Sequence, residues 1–355
     1  MAETVLVTGA FGLVGTATVI RLAEDGRTVV ATDLNTPANR KAAAKLPAGV
    51  RVVWTDLTDA DSVEDLLSNV TPAAIVHLAA MIPPFCYQRR ELARKVNVDA
   101  TANLLRAAEK LPAPPRFVQA SSIAVYGGRN PHRHTDVLTA DTPVAPTDLY
   151  GGHKVEAEAL VRESALDWLI LRLGGVLTSQ LKVDTDPALL KFESALPADG
   201  RLQTVDVRDV ARAFAAATTV DAVGQVLLIG GDDTHRLRQG EIASATADAI
   251  GLRGAFPKGR PGDPDSDENW FATDWMDSAA AQAVLHHQTR SFPQLLADTR
   301  ANVGVKRYLL MLAAPAVGLV MKRRSVYYGK PGTYAELWPA IREAFGDPSP
   351  DRPPA

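Results

Sequence analysis

The sequence predicts an α/β protein, with a doubly wound parallel sheet over its first half and a smaller C-terminal α/β region after it. Short apolar runs rich in β-branched residues alternate with helix-like segments between residues 5 and 172, as in parallel sheets with helical crossovers. A glycine-rich turn separates the first such run from the first helical segment. The chain has 355 residues, of which 46% are hydrophobic, so it can bury a large core.

The first strand and the first helix enclose a turn with three regularly spaced glycines. Residues 5–8 form a short apolar strand, residues 16–25 are helical, and the turn lies between them. Gly9 permits the tight turn, Gly12 lets backbone amides approach a pyrophosphate, and Gly15 lets helix and strand pack closely. This predicts the first unit of a Rossmann-type dinucleotide-binding fold, although the spacing is GxxGxxG rather than GxGxxG. The loop residues expected to contact the cofactor are Gly9, Phe11, Gly12, Leu13 and Gly15.

The second strand indicates which dinucleotide binds. Residues 27–32 form this strand, and Asp33 follows it, 18 positions after Gly15. A carboxylate there accepts hydrogen bonds from the adenosine ribose hydroxyls and repels a 2′-phosphate, so we expect NAD rather than NADP. Arg40 and Lys41 could instead hold a phosphate, but we interpret them as a solvated helix face.

The first half continues with further strands and helices. Small residues end the fourth strand, which leaves room for a ligand at the sheet edge, and His77 within it is expected in the core. The predicted strands are residues 50–54, 73–80, 116–120 and 168–172, and the predicted helices are residues 61–68, 91–110 and 150–163.

Charge and composition argue against several classes of function. A net charge of −3 gives no electrostatic reason to expect nucleic acid. Cys86 is the only cysteine, so no intrachain disulfide can form, which fits a reducing compartment. Neighbouring arginines could lower its pKa, but we expect an ordinary thiol. His132 and His134 lie in the long loop 127–147 without acidic or cysteine partners nearby, so we expect no metal. The first residues do not resemble a signal peptide, and we expect a cytoplasmic protein.

Tyr150 and Lys154 are the most informative pair in the chain. Residues four apart on a helix share a face, so both side chains can enter one site. A neighbouring ammonium lowers the pKa of a phenol from its reference value of about 10. Tyr150 could then take a proton from an alcohol or return one to a carbonyl. Taken alone, the pair could also be two solvated helix residues.

The pair belongs to a larger pattern. Its other parts, in chain order, are residues 8–15, Asp33, Asp56-Leu57, residues 77–80, 96–98 and 121–127, and Leu171-Arg172. Together they resemble the extended short-chain dehydrogenase/reductases, also called the NAD-dependent epimerase/dehydratase family. The likeness covers about the first half of the chain.

This resemblance implies a Ser–Tyr–Lys active site. Ser122 would hydrogen-bond the substrate oxygen, Tyr150 would be the acid/base, and Lys154 would hold the nicotinamide ribose and depress the pKa of Tyr150. Asp56 would reach the adenine amino group. The further residues implied at the cofactor are Leu57, Ala79, Ala80, Asn97 and Val176, with Asn97 also supporting the active-site geometry.

Departures from the family pattern narrow the range of substrates that we expect. The 4,6-dehydratases of the family carry an Asp-Glu pair where this chain has Ile123 and Ala124. Nucleotide-sugar members place an Asn after the Leu-Arg strand, where this chain has Gly174-Gly175. Those members also use an Arg for the diphosphate, at the position of Leu202, and Arg201 is one residue away. We therefore expect a smaller or more lipophilic alcohol or ketone than a sugar nucleotide.

The second half carries no strong chemical motif. We expect an NAD-binding domain over residues 1–174, an interleaved substrate-binding region over 175–345, and a disordered tail over 346–355. The predicted strands are residues 203–207 and 225–229, and the predicted helices are residues 208–219, 238–250, 277–285 and 292–301.

An apolar stretch over residues 308–321 has basic residues on both sides. Fourteen residues are too few to span a bilayer, and Pro315 should kink or break the segment. We expect a helix buried over the substrate pocket; a membrane-surface contact and a dimer contact are the alternatives.

Three functions fit the sequence. The leading hypothesis is an NAD-dependent oxidoreductase acting on a secondary alcohol or ketone. The second is an NAD-dependent epimerase, in which the hydride leaves and returns. The third is a dinucleotide-sensing protein without activity, although such sensors can lose the Ser–Tyr–Lys set that this chain keeps. We also expect a homodimer with a small-molecule substrate.

Overall fold

A seven-stranded parallel sheet forms the centre of the molecule. The computed structural model describes residues 3–180 and 186–351. The strand order in the sheet is β3-β2-β1-β4-β5-β6-β9, and a second sheet has the order β10-β8-β7. The strands are β1 Thr4–Thr8, β2 Thr28–Asp33, β3 Arg51–Trp54, β4 Ala74–His77, β5 Arg116–Ser122, β6 Trp168–Leu173, β7 Gly175–Leu177, β8 Arg201–Asp206, β9 Gln225–Ile229 and β10 Arg236–Arg238.

Helices cover both faces of the large sheet. The α-helices are α1 Leu13–Glu24, α2 Pro37–Ala43, α3 Ala60–Val70, α4 Phe85–Gln88, α5 Arg90–Arg94, α6 Ala100–Glu109, α7 Leu149–Glu163, α8 Pro187–Glu193, α9 Val207–Ala217, α10 Gln239–Ile250, α11 Ala279–Leu285, α12 Phe292–Val303, α13 Lys306–Arg324 and α14 Leu337–Phe345. The expected α/β class and the parallel sheet are confirmed.

The alternation of side chains along β1 separates two cores. Val5 and Val7 face a cluster formed with α1, α9 and α11, whereas Leu6 faces a cluster formed with α3, α6 and α7. Because every strand of a parallel sheet is covered on both faces, its residues are apolar almost without interruption. The two cores hold the carboxyl ends of the strands at one edge, where the glycine turn and Ser122 lie.

The chain returns to the large sheet after leaving it. Strand β9 pairs with β6 in parallel, although β7, α8, β8 and α9 lie between them in the sequence. Residues 225–229, in the second half of the chain, therefore form an edge strand of the large sheet. The boundary at residue 174 stays a prediction.

Two elements of the first half differ from expectation. The predicted helix over 91–110 contains a π-helical segment, Lys95–Asp99, between α5 and α6. The fourth strand was predicted to reach residue 80, but β4 ends at His77. It ends there because the amides of Leu78 and Ala79 donate to the Thr8 hydroxyl instead of continuing the strand ladder.

The expected disorder of the tail is wrong for residues 347–351. The Leu149 amide donates to the Pro348 carbonyl at 2.7 Å, and Arg90 donates to the Ser349 carbonyl and the Asp351 carboxylate. These contacts fix the segment against the start of α7. Residues 352–355 lie outside the described residues.

The expected burial of the 308–321 stretch is also wrong. It belongs to α13, which runs through Pro315 without a break and has no buried residue across its 19 described positions. No single helix among the described residues is long and apolar enough to cross a membrane; α12 and α13 meet that test only as a pair, which is bent by 98°.

Candidate active site

The glycine turn brings β1, α1 and the end of β4 into close contact. Gly9 has φ +61°, and a Cβ built on it would lie 2.7 Å from the Ala79 amide nitrogen. A Cβ built on Gly15 would lie 2.1 Å from the Gly9 carbonyl oxygen. Both positions therefore exclude any side chain. A Cβ on Gly12 would meet nothing closer than 3.4 Å, so Gly12 faces more open space.

The residues of this turn fit a dinucleotide. No described side chain caps the N-terminus of α1, so its first backbone amides are available to a pyrophosphate. Asp33 ends β2, and its carboxylate accepts hydrogen bonds from the amides of Phe11 and Leu34 at 3.3 and 2.8 Å. Burial raises the pKa of Asp33, and these amides oppose the rise. The Phe11 ring packs against Trp54, with 5.3 Å between centroids.

The other predicted cofactor residues lie around the same sheet edge with differing contacts. Asp56 accepts hydrogen bonds from the amide and hydroxyl of Thr58, at 2.9 and 2.7 Å. Leu57 is buried, and its carbonyl accepts from Asn103 at 3.0 Å. Ala79 and Ala80 follow β4, and Val176 lies in β7, half-buried against the core that includes α1.

The Asn97 side chain is hydrogen-bonded to the loop that follows β4. Its side chain donates to the Met81 carbonyl at 3.0 Å and accepts from the Met81 amide at 2.7 Å. It is buried, and its amide also lies 3.4 Å from Nδ1 of His153. The π-helical segment places this side chain, and π-bulges are frequent at functional sites. Asn97 therefore links the loop at Met81 to α7.

Tyr150 begins a helix that is held at its N-terminus by buried groups. Asp148 caps α7 by accepting from the Gly151 amide at 3.0 Å, and the Tyr87 hydroxyl donates to Asp148 at 2.5 Å. A Cβ built on Gly151 would lie 2.4 Å from the Ala124 carbonyl oxygen. This glycine lets α7 pack against the turn that follows Ser122, which brings Tyr150 near that serine.

Lys154 lies on the same face of α7 as Tyr150, as the spacing predicted. Its ammonium donates to the Ala120 carbonyl at 2.8 Å and lies 5.6 Å from the centroid of the Tyr150 ring. Burial lowers the pKa of Lys154 to about 8, although the charge of the Glu158 carboxylate acts in the opposite direction and raises it.

The pKa of Tyr150 differs in direction from the expected lowering. Burial raises the pKa of this phenol, the Asp148 carboxylate adds to the rise, and the hydrogen bond with Ser122 opposes it. The Lys154 ammonium, 5.6 Å from the centroid of the Tyr150 ring, therefore does not bring the pKa of the phenol below its ordinary value. Burial raises the pKa of Cys86 and the Asp148 carboxylate adds to the rise, which together outweigh the lowering by Arg90.

The two serines at the end of β5 face opposite sides. The Ser122 hydroxyl is half-buried and accepts from the Ala124 amide at 3.2 Å. The Ser121 hydroxyl points into the core and donates to Glu158 at 2.6 Å. This alternation is ordinary for a strand and leaves Ser122 on the side of Tyr150.

One turn after Lys154 on α7, Glu158 forms a buried ion pair with Arg172 that the sequence motifs do not predict. Arg172 binds the Glu158 carboxylate with two hydrogen bonds, at 2.8 and 2.6 Å, and donates to the Tyr126 hydroxyl at 2.7 Å. Glu158 and Arg172 are both buried. The spacing could have revealed this partner, because Glu158 is four residues after Lys154 on the same helix face.

His77 lies in the core, where the sequence placed it. Its ring nitrogens are 2.7 Å from the Thr8 hydroxyl and 3.1 Å from the Thr101 hydroxyl. Burial lowers its pKa to about 3, and the charge of Lys154 contributes. The ring is therefore neutral near pH 7.

Tyr150 packs against a cluster of apolar and aromatic side chains. Half-buried residues of the same cluster are Met81, Phe271 and Trp338, and the buried Phe192 packs edge-on against Phe271 with 5.5 Å between centroids. Among the described residues, no group of three His, Cys, Asp or Glu side chains could hold a metal ion. His132 instead lies 2.8 Å from the Asp199 carboxylate.

The residues at the expected diphosphate position are not free for an anion. Arg201 is buried and donates to the Asp274 carboxylate at 2.8 Å, and Arg129 donates to the same carboxylate at 2.7 Å. Leu202 packs against Gly175, where an added Cβ would lie 2.9 Å from the leucine side chain. The expected arginine position is therefore occupied by Leu202, and Arg201, one residue away in the sequence, is already in an ion pair.

Known proteins resemble parts of this chain. A D-erythronate dehydrogenase from Cupriavidus necator is 35% identical over 130 residues, which are 36% of this chain and 39% of that protein. An uncharacterized epimerase/dehydratase from Staphylococcus saprophyticus is 28% identical over 158 residues, 44% of this chain and 47% of that protein. The matched segments thus span less than half the length of these curated relatives.

Solved structures share the fold over most of the chain. MoeE5 in complex with UDP-glucuronic acid and NAD is 28% identical with a TM-score of 0.65, covering 83% of this chain and 97% of that one. A UDP-glucose 4-epimerase from Thermus thermophilus in complex with NAD is 22% identical, with a TM-score of 0.68 and coverage of 84% and 98%.

A family model matches residues 5–188, just over half of the chain, and contains the glycine turn, Asp33, Ser122 and the Tyr150–Lys154 pair. The chain therefore belongs to the NAD-dependent epimerase/dehydratase family, as the order of its sequence motifs predicted.

Proposed function

We propose that the chain is an NAD-dependent oxidoreductase that interconverts a secondary alcohol and a ketone. The observation that carries this proposal is the convergence of Ser122, Tyr150 and Lys154 beside the glycine turn. Tyr150 and Lys154 share one helix face, and Ser122, at the end of β5, lies near enough to Tyr150 to act on the pKa of its phenol. A sensor without activity has no need of this set.

Each member of the set has a distinct role in the proposed reaction. Tyr150 moves a proton to or from the substrate oxygen, and Ser122 donates a hydrogen bond to that oxygen. Because the pKa of Tyr150 is raised in this structure, its phenol holds a proton that it can give to a ketone. Lys154 binds the ribose next to the nicotinamide. The Glu158–Arg172 ion pair holds α7 against β6 one turn after Lys154 and so helps to position it.

The cofactor residues follow from the glycine turn. When bound, the nicotinamide accepts or donates the hydride. The amides at the start of α1 would hold the pyrophosphate, and Asp33 would accept hydrogen bonds from the adenosine ribose. Phe11, Leu13, Asp56, Leu57 and Ala80 are proposed as further contacts on the strength of the family pattern. Gly9, Ala79, Asn97 and Val176 support the site through the packing described above.

The proposed substrate is a small or lipophilic alcohol. Tyr150 packs against the same apolar cluster as Met81, Phe271 and Trp338, and burial of apolar surface favours an apolar ligand there. Arg201 is held by Asp274, so it is not free to bind a diphosphate. The D-erythronate dehydrogenase relative supports net oxidation of a hydroxyl group rather than epimerisation.

Epimerisation is the second candidate, because several solved neighbours are UDP-sugar epimerases. The same residues could remove a hydride and return it to the other face. The two functions differ in one readout, since only net oxidation accumulates NADH.

A substrate screen tests the proposal. The full chain with NAD is offered aliphatic and cyclic secondary alcohols, hydroxy acids and UDP-glucose, and NADH absorbance is followed. We expect NADH with at least one alcohol or hydroxy acid. Conversion of UDP-glucose to its epimer without NADH would favour the second candidate, and no turnover with any compound would favour the sensor.

We also propose that the protein is a cytoplasmic homodimer with a small-molecule substrate. The family resemblance and a single buried thiol that allows no intrachain disulfide support this assignment. Sedimentation equilibrium measures the mass: a monomer at micromolar concentration would contradict the dimer.

A further inference from the structure

Helix α13 presents an apolar face to solvent. Tyr308, Leu312, Pro315 and Leu319 are spaced by four, three and four residues, so they form one stripe along the helix. All four are exposed, and the exposed fraction reaches 82% at Leu312. Leu309, with 70% exposure, lies beside the stripe. Exposed apolar patches of this kind commonly mark interaction surfaces.

The opposite face of α13 is anchored to the protein. Leu310, Ala314 and Val317 pack against a cluster that includes Ile250 and Val303. The helix is therefore held on one side by the body of the protein. Its other side is displayed to solvent as a continuous surface.

The charges of α13 are all positive and lie at its ends. Lys306 and Arg307 begin the helix, Lys322, Arg323 and Arg324 end it, and it contains no acidic residue. Among the described residues, none of these five side chains forms a salt bridge. Lys322 and Arg323 follow Leu319 by three and four positions, which places them on the same exposed face.

This distribution of charge favours a lipid surface over a second copy of the chain. If two α13 helices packed together in either direction, cationic ends would meet cationic ends, and like charges oppose such a contact. Anionic headgroups instead attract basic residues, while the boundary of the acyl chains receives the apolar stripe. At 1.5 Å per residue, 19 residues give a helix of about 28 Å that can lie flat.

We propose that α13 is a membrane-surface helix, which binds anionic bilayers through the stripe Tyr308, Leu312, Pro315 and Leu319 and through its basic ends. The helix lies in the interface plane and does not span the bilayer. Membrane binding by α13 uses no residue of the proposed active site. The membrane proposal can therefore be tested independently of the proposed activity.

Vesicle sedimentation of the full chain tests this proposal. The probes are phosphatidylcholine vesicles with and without phosphatidylserine, at low and at physiological salt. We expect pelleting with the anionic vesicles, strongest at low salt because salt screens the basic ends. Protein left in the supernatant with anionic vesicles at both salts would overturn the proposal.

Two pairs of substitutions identify the surface. Each of two double variants should lower the vesicle partition coefficient by at least about tenfold. One is Leu309→Ser with Leu312→Ser, and the other is Lys322→Glu with Arg323→Glu. The matched controls are the exposed Val223→Ser and Lys45→Glu, which should bind like the unaltered chain. Circular dichroism melting confirms that each variant is folded. Equal binding by all variants would contradict the assignment to α13.

A self-association measurement completes the test. If sedimentation equilibrium without vesicles shows a dimer that Leu309→Ser with Leu312→Ser dissociates, the face belongs to a second copy and the proposal is wrong. We expect those substitutions to leave the mass unchanged, because any homodimer uses another surface.

Discussion

The Ala124 carbonyl oxygen occupies the space in which a side chain on Gly151 would begin, since an added Cβ would lie only 2.4 Å from it. The next glycine on the helix is different. A Cβ on Gly152 would lie 3.6 Å from Pro350, an ordinary contact. The approach of α7 to the turn after Ser122 therefore depends on one glycine, and that approach places Tyr150.

Gly151→Ala should damage both the fold and the active site. Overpacking against a backbone carbonyl should lower the free energy of unfolding by about 1–3 kcal/mol. The displacement of Tyr150 should lower kcat by about 10- to 100-fold. Gly152→Ala is the matched control and should be neutral or stabilising by up to about 1 kcal/mol, because alanine favours helix. Urea unfolding and turnover of the best substrate measure both effects; equal behaviour of the two variants would contradict this account.

Glu158→Gln should be strongly destabilising. The substitution leaves the buried Arg172 without its carboxylate, which typically costs about 3–5 kcal/mol. Glu156→Gln is the control two residues away. Its pair with Arg94 has 42% and 40% of the side chains exposed, so its loss should cost at most about 1 kcal/mol. Chemical unfolding of the two variants compares these costs, and a similar loss in both would show that the buried pair contributes little.

His77 should make the protein sensitive to acid. Its pKa is about 3 in the folded protein, against an ordinary 6.5 that unfolding restores. The unfolded chain therefore binds more protons between these values, so the free energy of unfolding falls as pH falls through this window. At pH 5 the loss from this group is about 2 kcal/mol relative to pH 7. His77→Gln cannot titrate and should lose less stability over the same range. An unchanged pH dependence in this variant would assign the acid sensitivity to other groups.

NAD should bind at least about tenfold more tightly than NADP, because the Asp33 carboxylate repels a 2′-phosphate. Asp33→Ser should narrow that difference, mainly by weakening NAD. Lys41→Ala is the control and should leave the ratio unchanged, since Lys41 is exposed on α2. The Arg40 guanidinium donates to Asn35 at 2.8 Å, so it is already engaged. Calorimetric titration with both oxidised cofactors measures the ratio, and a preference of the unaltered chain for NADP would refute the role of Asp33.

Local sequence rules predicted the parts of the site that depend on local geometry. The glycine turn predicted the first strand–helix unit, which is β1 and α1. The spacing of four residues predicted that Tyr150 and Lys154 share one face of α7. Both rest on backbone periodicity, which short segments specify by themselves. The end of β4 was missed because it depends on Thr8, about 70 residues earlier in the chain.

Local sequence patterns could not predict contacts between segments that lie far apart in the chain. His153 on α7 lies 2.9 Å from Asp351, 198 residues away, and a proline-rich composition alone had suggested disorder there. The exposure of α13 was also missed. Hydropathy measures how apolar a segment is, but it does not say which of its faces the rest of the protein covers.

The role of Tyr150 as acid/base is the central claim, and one comparison tests it most directly. The rate of NADH formation is measured for the unaltered chain and for Tyr150→Phe with the best alcohol from the substrate screen, while tryptophan fluorescence measures NAD affinity. Tyr334→Phe, at an exposed tyrosine, is the control. We predict that Tyr150→Phe lowers kcat by at least about 100-fold and leaves NAD affinity nearly unchanged. Retention of most of the activity by Tyr150→Phe would contradict the account.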